Sequence, residues 1–349
     1  MKSGKEETEL DLPVATASLT NMREERGAIL IVVLWIVLAV SMLALSFSAS
    51  IRTEVDAARN VIVQKQSYYM ARAGIEYAVY KIFESQSAFA QSQQLQNLEL
   101  DAVPEALTGR VTLNLGSGAA DVELIDESGK INLNFAPEHL LFNLMIMIGI
   151  PGEVADEITE SIADWRDPDE FPHDFGAESE FYSSLPQPYR IKNSFFDLPE
   201  ELLLVRGVTP QIYYGRKSLT ENGDRIELYG LQNYFTTFSN VNRINANSAP
   251  VPVLAAIPGL DYSTALMIED LRSQTPLRDI SQISERIPGI SGEMMGFLAV
   301  LRSNVYTINS LGRVGGSNVV SRIRAVIRVD GTGPKGYAVL YWNEANVEL

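Results

Sequence analysis

From Gly27 to Ile51 the chain carries no charged side chain, and a short charged run, Arg23-Glu24-Glu25-Arg26, stands directly before it. As a helix rising about 1.5 Å per residue, this segment can cross the roughly 30 Å hydrocarbon core of a bilayer. No proline lies between Ala28 and Val103, and Gly74 is the one glycine there, so the helix has no breaker at the end of the apolar run. Beyond Arg52, the residues Val55, Ile62, Tyr69, Ala73, Tyr80 and Phe83 recur at intervals of 3, 4 or 7. That spacing predicts a single face laid on a soluble body, with the helix running from Ala28 to about Glu84. The Gln/Ser-rich stretch Ser85–Asn97 reads as its end or as a loop. Strand patterns follow at Arg110–Leu115 and Asp121–Asp126 around a glycine-rich turn, and return at Asn304–Ile308, Val319–Val329 and Gly336–Trp342. Helical patterns fill the interval, so the simplest architecture is an α+β sheet whose halves are separated by a long helical insertion.

The insertion contains a repeat. Lys130-Ile131-Asn132-Leu133-Asn134-Phe135-Ala136-Pro137 matches Arg243-Ile244-Asn245-Ala246-Asn247-Ser248-Ala249-Pro250 at six of eight positions, with Lys and Arg counted alike. Each copy leads into an apolar helix, an Ile-Pro-Gly turn (150–152 and 257–259) and a second helix ending in an arginine, Arg166 or Arg272; a third Ile-Pro-Gly stands at 287–289. Duplicated helix–turn–helix units account for this. Such turns resemble the helix-hairpin-helix module, whose backbone amides hold a nucleic-acid phosphate, or are tight corners with no ligand. Glu153, Asp156, Asp261 and Glu293 follow the turns and would repel phosphate, which favours the corner reading. Gly312-Arg313-Val314-Gly315-Gly316 reads as a β-turn.

Composition narrows the chemistry. Among 349 residues, 28 basic against 44 acidic give a formal charge of −16, which argues against a nucleic-acid partner. There is no cysteine, so neither disulfides nor thiolate metal sites exist, and only His139 and His173 are available for imidazole chemistry. Nothing pairs a nucleophile with a base, and no enzyme is expected. The densest acidic cluster comprises Asp164, Asp167, Asp169, Glu170, Asp174, Glu178 and Glu180, broken by Pro168, Pro172 and Gly176. Oxygens on an irregular segment can converge on a hard cation such as calcium, or remain a solvated acidic loop.

Gly27, the small residue at the charged-to-apolar junction, precedes the apolar core, the reverse of a secretory signal. A peptidase cutting there acts on the cytoplasmic side and leaves the helix on the mature chain. This junction (Arg26-Gly27-Ala28, then Ile29–Trp35), with Asp126–Asn134, Ala163–Asp169 and Ala177-Glu178, Glu200–Val208 and the second Asn-x-Asn-x-Ala-Pro, resembles the minor pseudopilin K family of type II secretion (general secretion pathway protein K). The resemblance implies a type IV pilin-like fold: a long N-terminal helix on an antiparallel sheet, with a large inserted all-α domain containing helix-hairpin-helix-like repeats. The implied layout is a cytoplasmic leader at 1–27, a transmembrane segment at 28–51, the first part of the pilin domain at 52–136, an insertion at 137–303 (units at about 137–242 and 250–303) and returning strands at 304–349.

The resemblance further implies cleavage by prepilin peptidase between Gly27 and Ala28, methylation of the new amino terminus and a single-pass inner-membrane protein with a periplasmic body. Its implied partners are other minor pseudopilins, the major pseudopilin and the inner-membrane secretion platform. Its implied cofactor is calcium, for which Asp164, Asp167, Asp169 and Glu178 are the candidate ligands. Pilin-like subunits carry a glutamate at the fifth mature position, neutralised by the neighbouring subunit's amino terminus; here that position is Val32. A carboxylate there costs about 2.5–3.5 kcal/mol on insertion scales, so a subunit lacking it needs no subunit above it, as at a tip. The alternative expectation is a minor pilin or DNA-handling component of a type IV or competence pilus.

Overall fold

The structure is a computed structural model, and it describes residues 21–94, 109–219, 225–239, 241–330 and 336–348. Most of the leader therefore lies outside the described residues. In chain order the elements are α1 (Asn21–Gln94), the hairpin β1 (Gly109–Leu115) and β2 (Gly118–Asp126), β3 (Ile131–Asn132), α2 (Glu138–Met147), α3 (Gly152–Arg166) and α4 (Ser179–Ser184). Then come α5 (Pro210–Tyr214), the hairpin β4 (Gly215–Leu219) and β5 (Arg225–Tyr229), β6 (Phe235–Thr236), β7 (Ile244–Asn245), α6 (Val251–Ala255) and α7 (Tyr262–Gln274). The chain closes with α8 (Ser281–Arg286), α9 (Gly292–Phe297), β8 (Leu298–Ala299), β9 (Val305–Val314), β10 (Val319–Val329) and β11 (Tyr337–Glu348).

The chain divides into two compact units, residues 1–63 and 64–349. In the first, the side chains from Ile29 to Ile62 are solvent-exposed, and α1 is the one described helix long and apolar enough to cross a membrane. The helix starts at Asn21, inside the stretch predicted as an irregular leader, and continues to Gln94, past its predicted end near Glu84. With no proline or further glycine, the Gln/Ser-rich segment offers the backbone no reason to stop.

In the second unit, an antiparallel sheet of order β1-β2-β9-β10-β11 packs on α1. The helix face it covers is not the predicted one. Ser67, Ala71, Gly74, Ile75, Ala78, Val79 and Ile82 are buried, whereas Tyr69 and Tyr80 are 61% and 59% exposed. The sheet-facing row is small because the backbones nearly touch: a Cβ on Gly312 would collide with the Ser67 carbonyl, and one on Gly74 with Ser310. Side-chain size selects the row at the close approach, and the apolar Ile75, Val79 and Ile82 fill the face beside it. Ser67 Oγ and Ser321 Oγ, 2.8 Å apart, tie helix to β10. The same close approach explains why Gly312 to Val314 extend β9, confining the predicted turn to Gly315 and Gly316.

Strands β2 and β9 are hydrogen-bonded neighbours, yet everything from Glu127 to Asn304 lies between them. That interval forms one continuous core from Ile131 to Leu298, separate from the cluster under α1. Ile131, Leu133 and Ala136 belong to this core, so the insertion begins at about residue 131 rather than 137, and both helical units share it. The join is polar. Glu127 is fully buried; its Oε1 accepts from Lys130 Nζ (2.6 Å) and Thr307 Oγ1 (2.7 Å), and Asp126 Oδ2 accepts from Asn245 Nδ2 (3.2 Å). Burial opposes the Glu127 charge, but Lys130 and these hydroxyls outweigh it and hold its pKa below the usual carboxylate value.

Candidate metal centre

The two repeat copies build the same local device. In each, the central Ile-Asn pair forms a short parallel ladder, β3 with β6 and β7 with β8. The second asparagine then pairs with a distant peptide group as a strand would. Asn134 donates to the Phe196 carbonyl (3.0 Å) and accepts from its N–H (2.7 Å), and Asn247 does likewise with Leu277 (both 2.9 Å). The arginine closing the second helix finishes each unit. Arg166 Nη1 donates to the Leu133 and Ala136 carbonyls (2.8 and 2.9 Å), and Arg272 Nη1 to that of Ala246 (2.8 Å). Burial lowers both guanidinium pKa values from the ordinary one.

The copies differ in what joins the closing arginine to the clamped peptide. In the second, residues 273–276 suffice; in the first, residues 167–195 intervene, and they carry the acidic cluster. Asp164 is the exception to the loop placement: it sits fully buried in the last turn of α3. Pro168, Pro172 and Gly176 keep the segment irregular until α4 begins after Glu178. Gly176 is required by contact, since a Cβ would overlap the Asp164 carboxylate. Arg206, in the Glu200–Val208 motif, supports the loop from below. Its Nη1 donates to the Gly176 carbonyl (2.9 Å) and its Nε to Glu157 Oε1 (2.6 Å).

Three of the four candidate ligands converge directly: one oxygen each of Asp167, Asp169 and Glu178 lies within 4.8 Å of the others. Asp164 joins through Asp167 and His173, whose ligand atoms meet within the same limit. Glu178 is 5% exposed, and neither of its carboxylate oxygens has a hydrogen-bond partner; Asp167 Oδ1 is also buried and unpartnered. Desolvation, then the charges of Asp164, Glu170, Asp167 and Asp169, raises the Glu178 pKa to about 7. Burial and Asp169 raise Asp167. His173, one of the two histidines and not among the four candidate ligands, bonds Asp164 through Nδ1, and that bond raises its pKa. Its position between Pro172 and Asp174 in the acidic run was the available signal. Glu180 and Asp174 are exposed and belong to neither group.

The buried, unpartnered oxygens of Glu178 and Asp167, with the exposed Asp169 beside them, form a donor set that suits a hard divalent cation. His173 Nδ1 is engaged by Asp164, and the buried donors left without a partner are oxygens of Asp167 and Glu178.

The Ile-Pro-Gly turns carry no comparable vacancy. Asp261 Oδ1 accepts from Thr264 N (2.7 Å) and Ser263 Oγ (2.9 Å), and Ser291 Oγ accepts from Met294 N (3.4 Å), so side chains of the chain itself cap the helix starts. The first turn is followed at once by Glu153, in the opening turn of α3.

Residues 122–216 match the family model of type II secretion system protein K. The chain is 29% identical to a protein K of Escherichia coli (strain K12) over 201 residues, 54% of this chain, and spans 60% of that relative's length. It is 23% identical to type II secretion system protein K of Aeromonas hydrophila over 316 residues, covering 85% of this chain and 91% of the relative. In fold it is similar to a chain in the crystal structure of the GspK-GspI-GspJ complex of the enterotoxigenic Escherichia coli type 2 secretion system. The TM-score there is 0.54 at 20% identity, over 78% of this chain and 98% of that one. The family model and the relatives meet the resemblance drawn from the sequence motifs, and the solved structure meets the fold it implies.

Proposed function

Taking as premise that the chain is a relative of type II secretion protein K, we propose that it is a non-enzymatic minor pseudopilin that caps the tip of the secretion pseudopilus and helps initiate its assembly. The observation that carries this is α1, one unbroken helix whose first part is apolar and exposed and whose later turns are buried on an antiparallel sheet. A helix of that kind resides in the bilayer before assembly and packs among partner helices after it. Val32 supports a terminal place: it is an exposed apolar side chain where a glutamate would call for a subunit above.

The remaining parts of the reading follow from this role. Prepilin peptidase cleaves between Gly27 and Ala28, the new terminus is methylated, and the body stands in the periplasm of a single-pass inner-membrane protein. Partners are other minor pseudopilins, a reading supported by the structural neighbour's place in a GspK-GspI-GspJ complex, together with the major pseudopilin and the membrane platform. Calcium occupies the cluster around Glu178, held by Asp164, Asp167, Asp169 and Glu178, and neutralises their mutual repulsion. The side-chain caps after the second and third Ile-Pro-Gly turns, Glu153 after the first and the net charge of −16 tell against the DNA-handling alternative.

The test is co-purification. The full chain, expressed with the other pseudopilins of its own system, should be recovered in a complex with minor pseudopilins. Recovery of the chain alone, together with a salt-dependent gel shift on duplex DNA, would overturn the reading.

A further inference from the structure

The two repeat copies place a cation at equivalent positions, Lys130 and Arg243, and treat it differently. Lys130 is buried against Glu127, three residues before it. Three residues before Arg243 the sequence has Asn240, so the second copy lacks the matching carboxylate. Arg243 is exposed and has no acidic partner among the described residues. It stands beside a cavity of about 400 Å³ between the two copies, within the range typical of ligand sites, roughly 300–1,000 Å³. Ile131, Leu140 and Ile244 give the cavity a buried apolar floor. Phe135 and Phe297 form its aromatic walls, Phe135 packing edge-on against Phe195 (5.7 Å) and Phe297 against His139 (5.9 Å).

We propose that this cavity binds an apolar side chain beside a carboxylate, carried on an extended segment of another polypeptide, with Arg243 taking the carboxylate. The volume admits one large side chain and part of a neighbour. The guanidinium fork suits a carboxylate bidentately, which a lysine would not do. An exposed arginine with no acidic partner among the described residues, at an apolar cleft in so acidic a chain, selects an anion by charge. The occupant therefore replaces the carboxylate that Glu127 supplies in the first copy.

The test uses the full chain in lipid nanodiscs and a photo-reactive probe, N-acetyl-p-benzoylphenylalanine, as the free acid and as its amide. The acid should cross-link within residues 131–140, 241–244 or 296–297, and N-acetylphenylalanine should compete. Arg243→Gln should reduce that labelling about tenfold, the scale of one lost charge-assisted pair, and Arg243→Lys should restore part of it. Equal labelling by the amide, or labelling unchanged in Arg243→Gln, would refute the role of the carboxylate. Labelling at scattered exposed aromatics such as Phe171 would refute the cavity, and octanoate competing as well as N-acetylphenylalanine would refute a polypeptide occupant.

Discussion

Replacing Glu178 by glutamine should stabilise the metal-free protein and at the same time blunt its response to calcium. The carboxylate is 5% exposed, has no hydrogen-bond partner and faces Asp164, Asp167 and Asp169. Its pKa stands at about 7 against an ordinary 4.5, a gap equivalent to about 3 kcal/mol with both states ionised, and an upper bound because water and loop movement screen it. The sign follows from proton binding. Between about pH 4.5 and 7 the folded state keeps a proton that the unfolded state has released, so metal-free stability falls as pH rises through that window and stays low at pH 8. Glutamine removes the penalty, whereas calcium removes it only where the carboxylate remains. At a hundredfold excess over its dissociation constant the ion adds about 2.7 kcal/mol, roughly 5–10 °C in a body of this size. The assay is thermal melting of the full chain in nanodiscs, with chelator or calcium, at pH 5 and pH 8. Trp165, stacked on Phe196 (6.1 Å) and edge-on to Tyr182 (5.5 Å) beside the cluster, supplies the fluorescence signal. A lower melting point for Glu178→Gln at pH 8 with chelator, or an equal calcium gain in both proteins, would refute the reasoning.

Further expectations concern the helix and the repeats. Val32→Glu should perturb pseudopilus initiation or partner binding in an assembly assay, and unchanged behaviour would remove the argument from the missing carboxylate. Gly312→Val should destabilise the body by at least about 3 kcal/mol in urea unfolding, because its side chain must enter the α1 backbone. Asn134→Ala and Asn247→Ala should each cost about 2–4 kcal/mol by the same measurement, since each orphans both polar atoms of one peptide. Tyr69→Ala and Tyr80→Ala should leave the melting point within about 1 °C and weaken recovery of partner pseudopilins, as expected of exposed aromatic anchors.

The strands of the main sheet were legible because alternation survives burial on one face, as in Val122, Leu124, Ile308, Ile323 and Ile327, all of the cluster under α1; the β4–β5 hairpin and the two short ladders, within an insertion expected to be all-α, were not. The helix face was not. Val55, Ile62, Tyr69 and Tyr80 carry the stronger apolar period, while contact with the sheet runs along Ser67, Ala71, Gly74 and Ala78. Hydropathy ranks tyrosine above serine for burial, but a backbone-to-backbone approach admits only the smaller residue. In the acidic segment, proline and glycine correctly announced an irregular loop. What spacing could not reveal is that Asp164 stays helical, that His173 closes on it, or that Arg206 holds the Gly176 carbonyl, because each depends on a partner brought in by the fold.

The cluster's position in only one of two repeat copies gives a route by which a cation bound there would be expected to affect the whole insertion. Residues 167–195 span the same two anchors, a closing arginine and an asparagine-clamped peptide, that residues 273–276 span in the second copy. The longer connection is not an appendage. It places Ala177, Tyr182 and Ile191 in the shared core, with Tyr182 fully buried and its hydroxyl accepting from the Arg206 N–H (3.3 Å). Glu178 lies directly between Ala177 and the start of α4, on the same backbone that delivers Tyr182. Neutralising those oxygens is therefore expected to bear on the core through Tyr182, whereas the short connection of the second copy carries no such cluster. Accordingly, Tyr182→Phe, which keeps the packing and removes one acceptor, should cost only about 1 kcal/mol and preserve the calcium gain in melting temperature. Tyr182→Ala should cost about 3–5 kcal/mol and diminish that gain, because the loop then loses its seat. A calcium gain of full size in Tyr182→Ala would show that the cluster closes independently of the core and break the link.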